Sequence, residues 1–151
     1  MFFGREPDAG AVRITLTGNP VTKKNSQQII LAGGHPRIIP SKPFREYEAA
    51  CLAQLARITD RPTAFPVNLR CVYWMKTLRY VDLVNLIEAT QDILVRAGVL
   101  PDDNSRIIRS VDGCRVEHDK DNPRVEIWIE EAIDQCGCAD ATIQENQENT
   151  R

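Results

Sequence analysis

The chain has 151 residues, 42% hydrophobic and 26% charged, with a net charge of −2 and a pI near 5.7. That length suits one domain with an ordinary core. No run approaches the ~18 apolar residues of a membrane span, so no membrane role is expected. The opening Met-Phe-Phe-Gly-Arg-Glu-Pro-Asp lacks a basic segment followed by an apolar one, so neither a secretory signal nor a location other than the cytoplasm is expected.

Val12 to Leu16 alternates apolar and polar residues, which predicts a half-buried strand ended by Gly18, Asn19 and Pro20. A polar basic loop, Val21-Thr-Lys-Lys-Asn-Ser26, comes next. Gln28–Ala32 and Arg37–Ile39 flank Gly33-Gly34-His35, which reads as a hairpin. Ser41 then caps a helix whose Phe44, Tyr47, Cys51, Leu55 and Ile58 form an apolar stripe. Pro62 and Pro66 mark a loop before a strand from Asn68 to Lys76, with Trp74 expected in the core.

Asp82 to Ala97 is the clearest helix. Leu83, Leu86, Ile87, Thr90, Ile93, Leu94 and Ala97 share one arc, with Asn85, Glu88 and Asp92 opposite them. Asp82 is placed to cap this helix and Gly98 to stop it. A loop with Pro101-Asp102-Asp103-Asn104 leads to strands expected over Arg106–Glu117 and Arg124–Glu130. The reading is a single α+β domain over residues 1–130, with a mixed sheet and two main helices. Residues 131–151 form a polar tail, expected to be flexible.

Five cysteines, at 51, 71, 114, 136 and 138, are odd in number and irregularly spaced, which argues against a disulfide framework. Cys136-Gly-Cys138 offers only two of the four ligands a structural zinc ion takes. His35 and His118 have no partner at ligand spacing and read as surface residues. The modest net charge conceals a division. Residues 1–80 carry 12 Lys/Arg against 5 Asp/Glu, and residues 81–151 carry 7 against 16. A basic half can hold phosphates while an acidic cluster holds divalent cations.

The acids of interest are Asp82 at the helix start, Glu88 on its polar face and Asp102-Asp103 past its end. A helix of about 16 residues spans roughly 24 Å. Asp82 and Asp103 therefore meet only if the chain folds back or a second subunit supplies one of them.

The run Arg79-Tyr-Val-Asp82-Leu-Val-Asn85, continuing through Gly98-Val-Leu-Pro-Asp102-Asp103, resembles the signature of the RusA family of Holliday junction resolvases. That signature is a basic stretch, Asp-x-Asp-Asn, a helix bearing Leu and Lys, a Gly, and Asp-Asp before a strand. Pro20-Val-Thr-Lys-Lys-Asn25 and Pro40-Ser-Lys-Pro-Phe-Arg-Glu-Tyr47 resemble its phage-borne branch, so the likeness extends over roughly residues 12–130.

The resemblance implies a RusA-like fold and a homodimer making paired incisions in branched DNA. The implied cofactor is Mg²⁺, with Mn²⁺ tolerated, and no organic cofactor is expected. It assigns catalysis and metal binding to Asp82 and Asp103, with Asp102 as an acidic neighbour of the metal. Two positions depart from the pattern: Val84 replaces the second Asp, and Glu88 replaces the helix lysine. Glu88 lies one turn beyond Val84 on the same face, so its longer arm can restore the missing carboxylate as a third catalytic and metal-binding acid. DNA contacts are expected from Lys23, Lys24, Lys42, Arg45, Lys76 and Arg79. Tyr80 either stacks on an exposed base or packs in the core. The rival readings are a catalytically impaired branched-DNA-binding protein, a nuclease for flaps or forks, and a zinc-linked interaction protein.

Overall fold

The computed structural model describes residues 11–23, 27–58 and 65–132. A five-stranded mixed sheet forms its frame, in the order β1 (Val12–Thr17), β7 (Arg124–Glu131), β4 (Val67–Met75) and β5 (Ile108–Ser110). β6 (Arg115–His118) pairs with the second half of β4. β7 is antiparallel to both β1 and β4, whereas β4 is parallel to β5 and β6. Parallel neighbours need a crossover, and α2 (Leu83–Arg96) supplies it between β4 and β5. α1 (Lys42–Leu55) packs beside α2 and β1. The fold is α+β, as the element order implied.

Alternation places one face of each strand in the core. Ile14 and Leu16 of β1, Leu69, Cys71 and Tyr73 of β4, and Val125, Ile127 and Ile129 of β7 are all buried. Cys51 and Leu55 of α1 and Leu86, Ile93 and Leu94 of α2 join them in one cluster. Ser41 caps α1 by accepting the Phe44 N–H at 3.3 Å. A hydroxyl pair joins β4 to α2 within this core: the Thr90 hydroxyl donates to Leu86 O at 3.0 Å, so the Tyr73 hydroxyl is the donor in its 2.8 Å bond with Thr90 Oγ1.

The opposite sheet face carries arginines stacked on tryptophans. The Arg70 and Arg13 guanidinium groups lie 4.5 and 5.3 Å from the Trp128 ring, and Arg124 lies 4.6 Å from Trp74. Trp74 is therefore half-buried beneath an arginine rather than part of the helix-facing core. Arg70 also pairs with Glu130 at 2.7 Å, and Arg124 with both Glu126 and Asp119.

Two features differ from the expectations. The strand expected over 106–117 breaks into β5 and β6, because Val111–Cys114 form a turn between them. Asn68 holds that turn by accepting the Asp112 N–H at 2.8 Å, and five steps from Ser110 to Arg115 oppose four steps on β4. The hairpin of β2 (Gln28–Ala32) and β3 (His35–Ile39) forms as expected, but as a separate two-stranded sheet with Ile29, Leu31 and Ile38 exposed.

Thr90→Val leaves the buried Tyr73 hydroxyl without its acceptor and is expected to cost ~1–3 kcal/mol, against about 0.5–1.5 kcal/mol for Tyr73→Phe. Urea denaturation should show the double variant losing less than the two singles together, because they share one bond.

Candidate functional site

Asp82 occupies the cap position that the sequence implied. Its Oδ1 accepts the backbone N–H groups of Val84 at 2.9 Å and Asn85 at 3.4 Å. Both bonds use one carboxylate oxygen, so the cap does not engage Oδ2. The approach to Asp82 is a surface loop in which Lys76, Leu78, Arg79 and Tyr80 are all exposed. Asn19 accepts the Lys76 N–H at 2.9 Å, which ties the loop to the end of β1. Tyr80 is fully exposed, so the core-packing alternative for it is set aside.

Asp103 lies at the other end of α2. In a strand–helix–strand crossover the helix runs back along the sheet, so the loops before and after it emerge at opposite ends of the strands. The 14 residues of α2 separate them by roughly 21 Å at 1.5 Å per residue. Asp82 caps the start of α2, whereas Asp103 shares a cleft with Asp92, Val95 and Arg96 in the second half of that helix. Among the described residues no three His, Cys, Asp or Glu side chains come together as a metal-binding group. The carboxylates suit a hard cation chemically, but one chain does not gather Asp82, Glu88 and Asp103 around it.

Asp103 faces a different set of charges. A cleft of about 310 Å³ is lined by Lys23, Glu48, Asp92, Val95, Arg96 and Asp103. α1 contributes Glu48, α2 contributes Asp92 and Arg96, and the segment after β1 contributes Lys23. Lys23 Nζ reaches Asp92 Oδ2 at 2.8 Å, and Arg96 reaches Glu48 at 2.9 Å. Hydrogen bonding to Asp92 raises the Lys23 pKa above its ordinary value, against some desolvation, and the charges of Glu88 and Glu48 add to it. Glu88 is thus half-buried in the field of Lys23, on the side of α2 that faces this cleft.

Asp102 is exposed and organises its own turn, accepting the Asp103 N–H at 2.7 Å and the Asn104 side-chain amide. Those donors lower its pKa, the Asp103 N–H first. Lys42 is exposed and pairs with Glu46 at 3.7 Å, and Arg45 is exposed on the same helix. Lys24, Cys136 and Cys138 lie outside the described residues. His35 and His118 are exposed, as expected of surface residues.

Sequence reasoning missed Glu48 and Arg96 as members of the cleft. Asp92 stood out only as a third polar residue of α2, and the signal was its spacing of four from Glu88. No protein-family model and no curated protein matches the chain.

The Lys23–Asp92 pair offers a direct check. Both side chains are about a third exposed, so Asp92→Asn is expected to cost no more than ~1 kcal/mol. A raised lysine pKa stabilises the fold fully below the unfolded value of about 10.4, and the contribution fades as pH rises through the folded value. Chemical denaturation at pH 8 and pH 11 should show the difference between wild type and Asp92→Asn shrinking at the higher pH.

Proposed function

We propose that this chain is a Mg²⁺-dependent, structure-selective endodeoxyribonuclease of the RusA type, acting on Holliday junctions or related branched DNA as a homodimer. The observation that carries the reading is the loop before α2. An exposed cation and an exposed aromatic ring, Arg79 and Tyr80, immediately precede a helix-capping carboxylate, Asp82, within the stretch that resembles the family signature. Arg79 and Lys76 suit phosphates, and Tyr80 suits a base left unstacked at a branch point.

The separation of Asp82 from Asp103 favours a composite site. A twofold axis that sets the start of α2 in one copy against the end of α2 in the other would unite Asp82 with the partner's Asp103. The same operation generates two sites, one for each strand cut at a junction. The chemistry a bound magnesium ion supplies is a lowered pKa for the attacking water and neutralised charge on the phosphoryl oxygens. Asp82, Glu88 and Asp103 are the carboxylates assigned to hold it, and Asp102 shapes the turn that presents Asp103.

The second reading, a branched-DNA-binding protein without strong catalysis, has its own supporting observation. Val84 is 69% exposed where the family pattern places an acid, so the helix start displays an apolar side chain beside Asp82.

Cleavage of a synthetic four-way junction with and without Mg²⁺ separates the two readings, since the binder predicts a gel shift without nicks. Asp82→Asn keeps an N-capping side chain and should leave thermal stability nearly unchanged while abolishing cleavage. Glu88→Ala and Glu88→Gln should each lose at least tenfold; wild-type activity in both removes Glu88 from the site. Mixing and refolding Asp82→Asn with Asp103→Asn chains tests the composite arrangement. Mixed dimers retain one intact site if each site draws on two chains, so nicking should return in the mixture. Activity no higher than in either variant alone would exclude a shared site.

A further inference from the structure

The turn between β5 and β6 is anchored on β4 more firmly than a surface turn requires. Asn68 Oδ1 accepts from the Ser110 hydroxyl at 2.7 Å and the Asp112 N–H at 2.8 Å, while its amide donates to Asp112 O at 3.2 Å. Gly113 adopts φ +85°, and a Cβ at this position would stand 2.7 Å from Arg70 Cδ. Only glycine lets the turn lie directly on the arginine stem.

These restraints deliver Cys114 to Cys71. Cys114 Sγ accepts the Cys71 N–H at 3.2 Å, and its thiol lies 3.4 Å from Leu69 O. The parallel register of β4 and β6 begins at Val72 and Arg115, and the Cys71 N–H bond to Cys114 Sγ sets the two preceding residues beside each other. Neighbouring strands run about 4.8 Å apart, within the ~4.4–6.8 Å Cα range that a disulfide bridges. Cys71 is fully buried and Cys114 only partly so. Of the two, Cys114 is the residue nearer solvent.

We propose that Cys114 and Cys71 form a hydroperoxide-reactive dithiol site, with Cys114 as the attacking thiol and Cys71 as its resolving partner. The Cys114 thiolate attacks the peroxide oxygen. An S–O bond forms, the O–O bond breaks, and the peroxide is reduced to water or an alcohol as Cys114 becomes a sulfenic acid. The Cys71 sulfur then attacks the Cys114 sulfur. The S–S bond forms, the S–O bond breaks, and hydroxide leaves with the Cys71 proton as water. Two thiols and one hydroperoxide give one disulfide, one water and one further water or alcohol.

The local electrostatics divide the two roles. A hydrogen bond from the Cys71 thiol, its backbone N–H and the Arg70 charge hold Cys114 below the ordinary thiol range, against burial and Asp112. The hydrogen bond to Cys114 and burial push Cys71 well up, so it remains the protonated donor. A stabilised, partly exposed thiolate beside a second thiol is the arrangement that favours sulfenic acid formation followed by disulfide closure.

The test uses the full chain, folded, with a few equivalents of hydrogen peroxide, followed by acid quenching, alkylation and tryptic mapping. Cys71 falls in the peptide 71–76 and Cys114 in 110–115. The expected product is these two peptides joined, about 2 Da lighter than their reduced sum and separable by a thiol reductant. Cys71→Ala should instead accumulate a dimedone-reactive sulfenic acid on Cys114, and Cys114→Ser should show neither product. Full alkylation of Cys114 after treatment, or its oxidation in the wild type without linkage to Cys71, overturns the proposal. So does linkage at the same rate in guanidine-unfolded chain, because proximity would then owe nothing to the fold.

Discussion

The crossover from β4 through α2 to β5 is the constraint on which the functional geometry depends. Parallel strands oblige the helix to run back across the sheet, and the Tyr73–Thr90 bond with the buried Leu86, Ile93 and Leu94 fixes it there. The start of α2, with Asp82 and the Tyr80 loop, is thereby committed to one end of the sheet. Asp103 and the turn built by Asp102 are committed to the other. On the proposed composite reading, the two acids meet at one phosphate only across two copies of the chain. The proposed twofold nuclease follows from that placement rather than from contacts within one subunit.

The same packing redistributes charge. Read along the chain, the basic first half and acidic second half look like separate surfaces. In the fold they interleave, because β1 and β4 come from the first half and β7 from the second. Arg13 and Arg70 meet Glu126 and Glu130, and Lys23 meets Asp92. The cations left exposed at the start of α2 are Lys76 and Arg79. They are few, but they precede Asp82 in one exposed loop.

β4 serves both faces of the molecule. Its core face carries Leu69, Cys71 and Tyr73, and its outer face carries Asn68, Arg70 and Trp74. Asn68 and Arg70 seat the 111–114 turn, which brings Cys114 to Cys71. One strand thus supports the crossover helix, the arginine–tryptophan stacks and the thiol pair.

Local pattern alone determined a good deal. Periodicity marked α1, α2, β1, β4 and β7, and side-chain chemistry identified Ser41 and Asp82 as caps, because these features involve residues within a few positions of each other. The hairpin was legible from Gly33-Gly34 for the same reason. Tertiary structure decided what depends on residues far apart in the chain. Asn68 broke the 106–117 strand from more than 40 positions away. Trp74, turned outward by the alternation that buries Tyr73, received its covering Arg124 only from another strand. Glu48 and Arg96 joined one cleft only when α1 met α2. Above all, the direction of α2 set how far apart its two acidic ends lie, since a helix conceals in sequence how it will be laid across a sheet.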